Sequence, residues 1–178
     1  MSAPLVVLGL GSNMGDSRRI IQDAIQALEQ VLTEVRAASL YETEPLYVTD
    51  QGRFINTALA GFYHGAPGEL LSCIHGIERA FGRDRAGERR WGERPLDIDI
   101  LLFGEQRVTL AASVKEPCLE IPHPRLKERR FALQPLLELL PHAREPGTGI
   151  SYKSVCEALP DQGVSLIALS ARGFSTST

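Results

Sequence analysis

The order in which hydrophobic periodicity changes along this chain constrains its fold more than any other feature. Leu5-Val-Val-Leu-Gly-Leu10 is a short apolar run with the make-up of a buried strand. After the turn Gly11-Ser-Asn-Met-Gly-Asp16 the period becomes helical. Ile21, Ala24, Ile25, Leu28, Val31, Leu32 and Val35 fall on one stripe, and Asp16 or Ser17 can cap a helix over residues 17–34. Period two follows over 35–43, with Val35, Ala37, Ser39 and Tyr41 on one face. It recurs over 53–63, where Phe54, Asn56, Ala58 and Ala60 share a side. Pro67 then opens a second helix at its first position; Leu70, Ile74, Ile77 and Phe81 form its core stripe and Gly82 ends it. A fourth strand covers 95–103.

That β-α-β-β-α-β order predicts an α+β fold with a ferredoxin-like core, an antiparallel sheet with both helices on one face. C-terminal additions follow: a hairpin within 108–118, a stiff Pro122-His-Pro124 loop, and a short helix around Pro135. A helix at 151–159, an edge strand at 164–169 and a flexible tail at about 170–178 complete them. The 178 residues show no repeat and no splitting linker, so a single domain over 1–178 is expected.

A net charge of -3 argues against a general nucleic-acid coat, and no nucleic-acid partner is expected. Cys73, Cys118 and Cys156 are odd in number and far apart, which argues against a disulfide framework and for a reducing, cytoplasmic compartment. No apolar run is long enough for a membrane span, and no signal peptide is evident. Sixteen arginines stand against three lysines, through codon bias or through phosphate recognition by guanidinium forks. None of the lysines follows a glycine, so a P-loop is excluded.

Chemistry concentrates in residues 83–103. Asp97 and Asp99 alternate with Leu96, Ile98 and Ile100, so both carboxylates share one strand face about 6.5 Å apart, a spacing suited to Mg²⁺. They are expected on the exposed face, either simply solvated at a sheet edge or stabilised by a ligand. Arg83, Arg85, Arg89, Arg90 and Arg94 lie just before them. Five arginines leading to paired aspartates fit a polyphosphate site; a solvated loop balanced by Asp84, Glu88 and Glu93 is the competing explanation. Trp91 would be either core or a wall for a flat ring. His75 and Glu78 flank the second helix's apolar stripe; Glu78 is either a solvated surface group or an acceptor beside the arginine loop. His123 lies between two prolines, with Arg129 and Arg130 downstream. Gly9-Leu-Gly11-Ser-Asn-Met-Gly15 has its third glycine one residue late for a dinucleotide fingerprint.

Taken in order, several pieces resemble the 6-hydroxymethyl-7,8-dihydropterin pyrophosphokinases of folate biosynthesis. They are Gly11-Ser-Asn-Met-Gly-Asp16, Tyr41-Glu-Thr-Glu-Pro45, Asp50-Gln51 with Phe54-Ile-Asn56, Glu78 and Gly82-Arg-Asp-Arg85. Arg90-Trp-Gly-Glu-Arg-Pro-Leu-Asp-Ile-Asp-Ile100, Ile121-Pro-His-Pro124 and Arg129-Arg-Phe131 with Pro135-Leu136 complete the set. The resemblance implies transfer of the β,γ-diphosphate of ATP to the pterin hydroxymethyl group, releasing AMP. It implies two Mg²⁺ ions on Asp97 and Asp99, and a catalytic set of Arg83, Arg94, Asp97 and Asp99. His75, Glu78, Arg83, Arg85, Arg90, Trp91, Arg94, Ile100, His123 and Arg129 would bind nucleotide. Thr43, Leu46, Phe54, Asn56, Trp91, Asp97 and Phe131 would bind the pterin. A monomer is expected. Glu44 and Glu93 depart from the family's pattern, Cys118 lies where an arginine contact is not carried over, and the chain beyond about Pro160 has no assigned role. Another Asp/Arg-dependent phosphotransferase or phosphohydrolase is the alternative. A non-catalytic RNA-binding module would need exposed strand aromatics and a basic sheet, whereas the chain has no RNP-like Gly-Phe/Tyr-rich strand and its arginines cluster in one loop.

Overall fold

The computed structural model describes residues 3–45, 50–84, 92–112 and 118–167. Its core elements are β1 (Leu5–Ser12), α1 (Ser17–Leu28), β2 (Thr33–Ala37), β3 (Tyr41–Thr43), β4 (Phe54–Phe62), α2 (Pro67–Ala80) and β5 (Asp97–Phe103). β1 lies inside the sheet, antiparallel to β4 and to β5. β2 and β3 both pair with β4, giving the order β5-β1-β4-β3 with β2 also on β4. This is the expected ferredoxin-like arrangement, with the second strand in two pieces.

One face of the sheet packs as expected. Ile21, Ala24, Ile25 and Leu28 of α1, with Leu70 and Ile74 of α2, meet Val6, Leu8, Leu10, Ile98 and Ile100. Each fully buried aliphatic side chain there contributes about 1.5–3 kcal/mol. The opposite face is not left open. A 3₁₀ turn (Leu126–Glu128), α3 (Arg130–Leu139) and α4 (Tyr152–Ala158) cover it. Leu126, Leu133, Leu136, Tyr152 and Cys156 pack there against Val7, Ala58, Ala60 and Leu101. The C-terminal additions therefore make a third layer, and β4 is buried at seven consecutive positions instead of alternating.

Two expected boundaries are corrected. The helix over 17–34 ends at Leu28, because Val31 and Leu32 both return their amides to the Leu28 carbonyl and Glu34 takes a left-handed φ of 52°. Val31, Leu32 and Val35 still pack on the same core, so the apolar stripe outlasts the helix. The strand over 35–43 breaks between Ala37 and Tyr41. The Thr57 hydroxyl donates to the carbonyls of Ala38 and Ser39, both at 3.0 Å, and satisfies the break from β4. On the other side Glu138 of α3 accepts from the Ser39 amide and hydroxyl and from the Tyr41 hydroxyl.

β6 (Val108–Leu110) and β7 (Leu119–Ile121) pair antiparallel, the second strand lying just beyond the range 108–118 expected for a hairpin, and β8 (Ser165–Leu166) adds to the free edge of β3. α2 starts at Pro67, and Gly82 with φ +87° turns the chain into Arg83, beside β5.

Candidate active site

β5 is the edge strand on one side of the sheet, and β1 is its neighbour. Asp97 lies opposite Gly11 and Asp99 opposite Gly9. Residues directly opposite project from the same face. The two glycines therefore leave a trough beside the two carboxylates, on the α3 side of the sheet. A Cβ at Gly11 would stand 3.0 Å from Asn56 Oδ1, and one at Gly9 would stand 3.3 Å from Leu101. The glycines of 9–15 thus serve as a floor within a strand and its turn.

At rest the carboxylates are held by arginines. Arg83 Nη1 bridges Glu78 Oε1 and Asp97 Oδ1, both at 2.5 Å. Arg94 Nη1 donates to Asp97 Oδ2 at 2.8 Å, and Arg129 Nη1 to Asp99 Oδ2 at 3.3 Å. The expectation of freely exposed aspartates is corrected: the side chains are 26% and 34% exposed and both are paired. Of the two readings of Glu78, the acceptor beside the arginine loop holds. It is 1% exposed, not solvated, and its Oε1 also accepts from the Ile98 amide. The helix end that disfavours an anion is offset by Arg83 and by the backbone of β5.

Desolvation first, then the Asp97 charge, raises the Asp99 pKa, while His123 and Arg129 oppose the rise. Burial likewise lowers that of His123, whose Nε2 lies 3.7 Å from Asp99 Oδ2. A carboxylate that resists ionisation next to a second carboxylate is a place where a cation is welcome. Among the described residues no three His, Cys, Asp or Glu side chains converge as a metal cage. Two carboxylates completed by ligand oxygens is the mode Mg²⁺ favours.

The other end of the same cleft is drier. Asn56, opposite both Gly11 and Tyr41, donates its amide to Thr43 Oγ1 at 2.8 Å, and both residues are buried. Phe54 from β4 and Phe131 from α3 line the cleft with them. The Arg129 guanidinium stands 5.7 Å from the Phe131 ring centroid and joins the two ends. One lining therefore contains Thr43, Phe54, Asn56, Arg94, Asp97, Asp99, Arg129 and Phe131.

Other candidate residues sit elsewhere. Ile100 is buried in the core on the α1–α2 side, and His75 is buried on α2. Arg83 and Glu78 lie beneath Asp97. Leu46, Arg85, Arg90 and Trp91 fall outside the described residues, as does the tail over 170–178. Glu44, where the family often has a small residue, is held at 3.0 Å by Arg53.

Sequence reasoning gave Asn13 no role. Its Oδ1 accepts from the Arg94 amide at 2.8 Å, and its own amide donates to the Arg94 carbonyl at 3.2 Å. Its Nδ2 reaches Gln51 Oε1 and the Gly52 carbonyl. One side chain thus ties the turn after β1 to the segments before β4 and β5. The only signal was its place in the Gly-Ser-Asn turn, where an asparagine is ordinary turn chemistry.

Paired carboxylates under arginines, opening on an aromatic and amide slot in a ferredoxin-like sheet, define a class: a phosphoryl-transfer site joined to a pocket for a flat heterocycle. The chain belongs to the 7,8-dihydro-6-hydroxymethylpterin-pyrophosphokinase (HPPK) family, whose model matches residues 7–141. It is 40% identical over 162 residues to the 2-amino-4-hydroxy-6-hydroxymethyldihydropteridine pyrophosphokinase of Pseudomonas aeruginosa, covering 89% of this chain and 94% of that one. It is 41% identical over 136 residues to a folate synthesis bifunctional protein of Arabidopsis thaliana. That match covers 76% of this chain but only 27% of the plant protein. The fold is similar to a crystal structure of wild-type Plasmodium falciparum HPPK-DHPS with pteroate, at a TM-score of 0.69 and 15% identity, covering 87% of this chain and 42% of that one.

Proposed function

We propose that the cleft transfers the diphosphate of ATP to the hydroxymethyl group of 6-hydroxymethyl-7,8-dihydropterin and releases AMP, as a step of folate biosynthesis. The observation that carries this is the single lining shared by Asp97, Asp99, Arg94 and Arg129 with Phe54, Asn56, Thr43 and Phe131. Family membership supports it through the relatives' names.

In this reading Asp97 and Asp99 hold two Mg²⁺ ions. When bound, the ions neutralise and orient the phosphate chain. Arg83, Arg94 and Arg129 exchange their carboxylate partners for phosphate oxygens, which a guanidinium fork matches as well. Glu78 keeps Arg83 in place from below. Phe54 and Phe131 stack the pterin, and Asn56 pairs with its edge once Thr43 has fixed the amide. The pterin hydroxyl is the nucleophile, so the protein's contribution is alignment and charge placement. Arg85, Arg90, Trp91, His75, His123 and Ile100 complete the proposed nucleotide site, and Leu46 and Trp91 the pterin site. The catalytic unit is proposed as one domain, monomeric and cytoplasmic. No helix among the described residues is long and apolar enough to cross a membrane.

The test is product analysis with ATP, Mg²⁺ and the reduced pterin. AMP and a pterin diphosphate in equal amounts are expected. ADP or free phosphate instead would assign the site to the alternative phosphotransferase or phosphohydrolase.

A further inference from the structure

Residues 159–166 form a strap outside the stretch that the family model matches. At one end, Arg130 Nη1 donates to the carbonyls of Leu159 and Pro160 at 3.1 and 3.2 Å. Gln162 then grips the start of α3 twice. Its Oε1 accepts from the Arg130 amide at 2.8 Å, and its Nε2 donates to the Glu128 carbonyl at 2.9 Å. Those two peptide groups flank Arg129. At the other end, Ser165 and Leu166 pair with Glu42 and Tyr41, and the Ile167 amide reaches the Leu40 carbonyl at 2.8 Å. The strap therefore spans from the wall that carries Arg129 and Phe131 to the wall that carries Thr43.

Arg129 sits at a joint. The 3₁₀ turn ends there, α3 begins there, and its backbone is extended at φ -116° and ψ 97°. Its side chain gives α3 no cap, so the first amides of the helix need another acceptor. Gln162 supplies one from 32 residues further along. Backbone bonds hold one group of each flanking peptide, the Arg129 amide to the Leu126 carbonyl and the amides of Ala132 and Leu133 to the Arg129 carbonyl, and Gln162 holds the other group of each, so the joint's two torsions are fixed from both sides. The same joint sets where Arg129 meets Asp99 and where Phe131 meets the slot.

We propose that Gln162 is a positioning residue: its amide fixes the Arg129 joint, so that one helix start delivers a guanidinium to the phosphate end and a ring to the heterocycle end. The inference rests on the proposed pterin assignment of the slot. Three variants test it by steady-state kinetics and thermal melting. Gln162→Ala removes both bonds. Gln162→Glu keeps the acceptor for Arg130 and loses the donor to Glu128. Ser151→Ala removes the cap of α4, whose hydroxyl accepts from the Ser154 amide, without touching the joint. Gln162→Ala should raise the KM for pterin about tenfold, as expected when a contact group is displaced by a fraction of an ångström. Gln162→Glu should fall between it and wild type, and Ser151→Ala should lower the melting temperature with an unchanged KM. A KM for Gln162→Ala within about twofold of wild type, or an equal rise in Ser151→Ala, overturns the proposal. If wild type turns over no pterin, the assignment of the slot fails instead. Hydrogen exchange then judges the strap alone: the amides of Arg130 and Phe131 should exchange faster in Gln162→Ala, and unchanged rates overturn it.

Discussion

The two ends of the cleft are built on opposite principles. At the phosphate end, three arginines rest on two half-exposed aspartates and one buried glutamate. At the heterocycle end, Asn56 and Thr43 are buried and already hydrogen-bonded to each other, between two rings. The first end is a set of charges that can change partners, because an arginine released by Asp97 or Asp99 finds an equivalent partner in a phosphate. At the second, Asn56 and Thr43 are already paired before any ligand arrives. Flexible electrostatics suits a polyanion and preformed geometry suits a rigid ring, so the contrast supports the proposed placement of the two ligands.

The largest break in that contrast should come from the carboxylates. Asp99→Ala is expected to lower turnover by about 10³-fold while pterin binding stays near wild type. Steady-state rates across a Mg²⁺ series check this; near-normal turnover at limiting Mg²⁺ removes the metal assignment. Next comes the buried pair beneath Asp97. Arg83→Ala leaves Glu78 charged and unpartnered by its guanidinium in a dry site, at a cost of about 3–5 kcal/mol in unfolding free energy. A urea titration measures it, and Glu78→Gln in the same background should recover part of the loss. At the heterocycle end, Asn56→Ala should weaken pterin binding by about 1–3 kcal/mol, and Thr43→Val, which frees the amide to rotate, by about 1 kcal/mol.

The smallest effect is at Tyr41, the cross-strand neighbour of Asn56. Burial first, then the hydrogen bond to Glu138, holds the Tyr41 hydroxyl up at about 12. The unfolded value is about 10. Below about pH 10 both states keep the proton, so the contribution is complete there. Between about 10 and 12 only the unfolded chain loses it, and stability falls as pH rises. Melting curves should therefore drop more steeply over that window in wild type than in Tyr41→Phe.

Most of the core order was legible in periodicity, because strands and helices bury stripes of different period. The end of α1 was not: Leu32 and Val35 pack on the same core from a turn and a strand, so the apolar stripe runs on past Leu28. The break after Ala37 depends on Thr57 and Glu138, which lie far off in sequence. Asp97 and Asp99 were legible because carboxylates alternating in a strand are unusual. Glu78 looked like helix surface because only the edge of β5, brought against α2, makes its position an interior one. Asn13 carried only the weak signal of its turn and Gln162 none, since single amides in loops are common and their partners are set by tertiary structure.

Calorimetric titration of two variants with two ligands tests the division of labour most directly. Magnesium ATP and the reduced pterin are each titrated into Asp99→Ala and Asn56→Ala. The expected pattern is crossed: Asp99→Ala loses nucleotide affinity and keeps the pterin, while Asn56→Ala loses the pterin and keeps nucleotide. A variant that loses both ligands to the same degree would contradict the account, because the cleft would then act as one indivisible site.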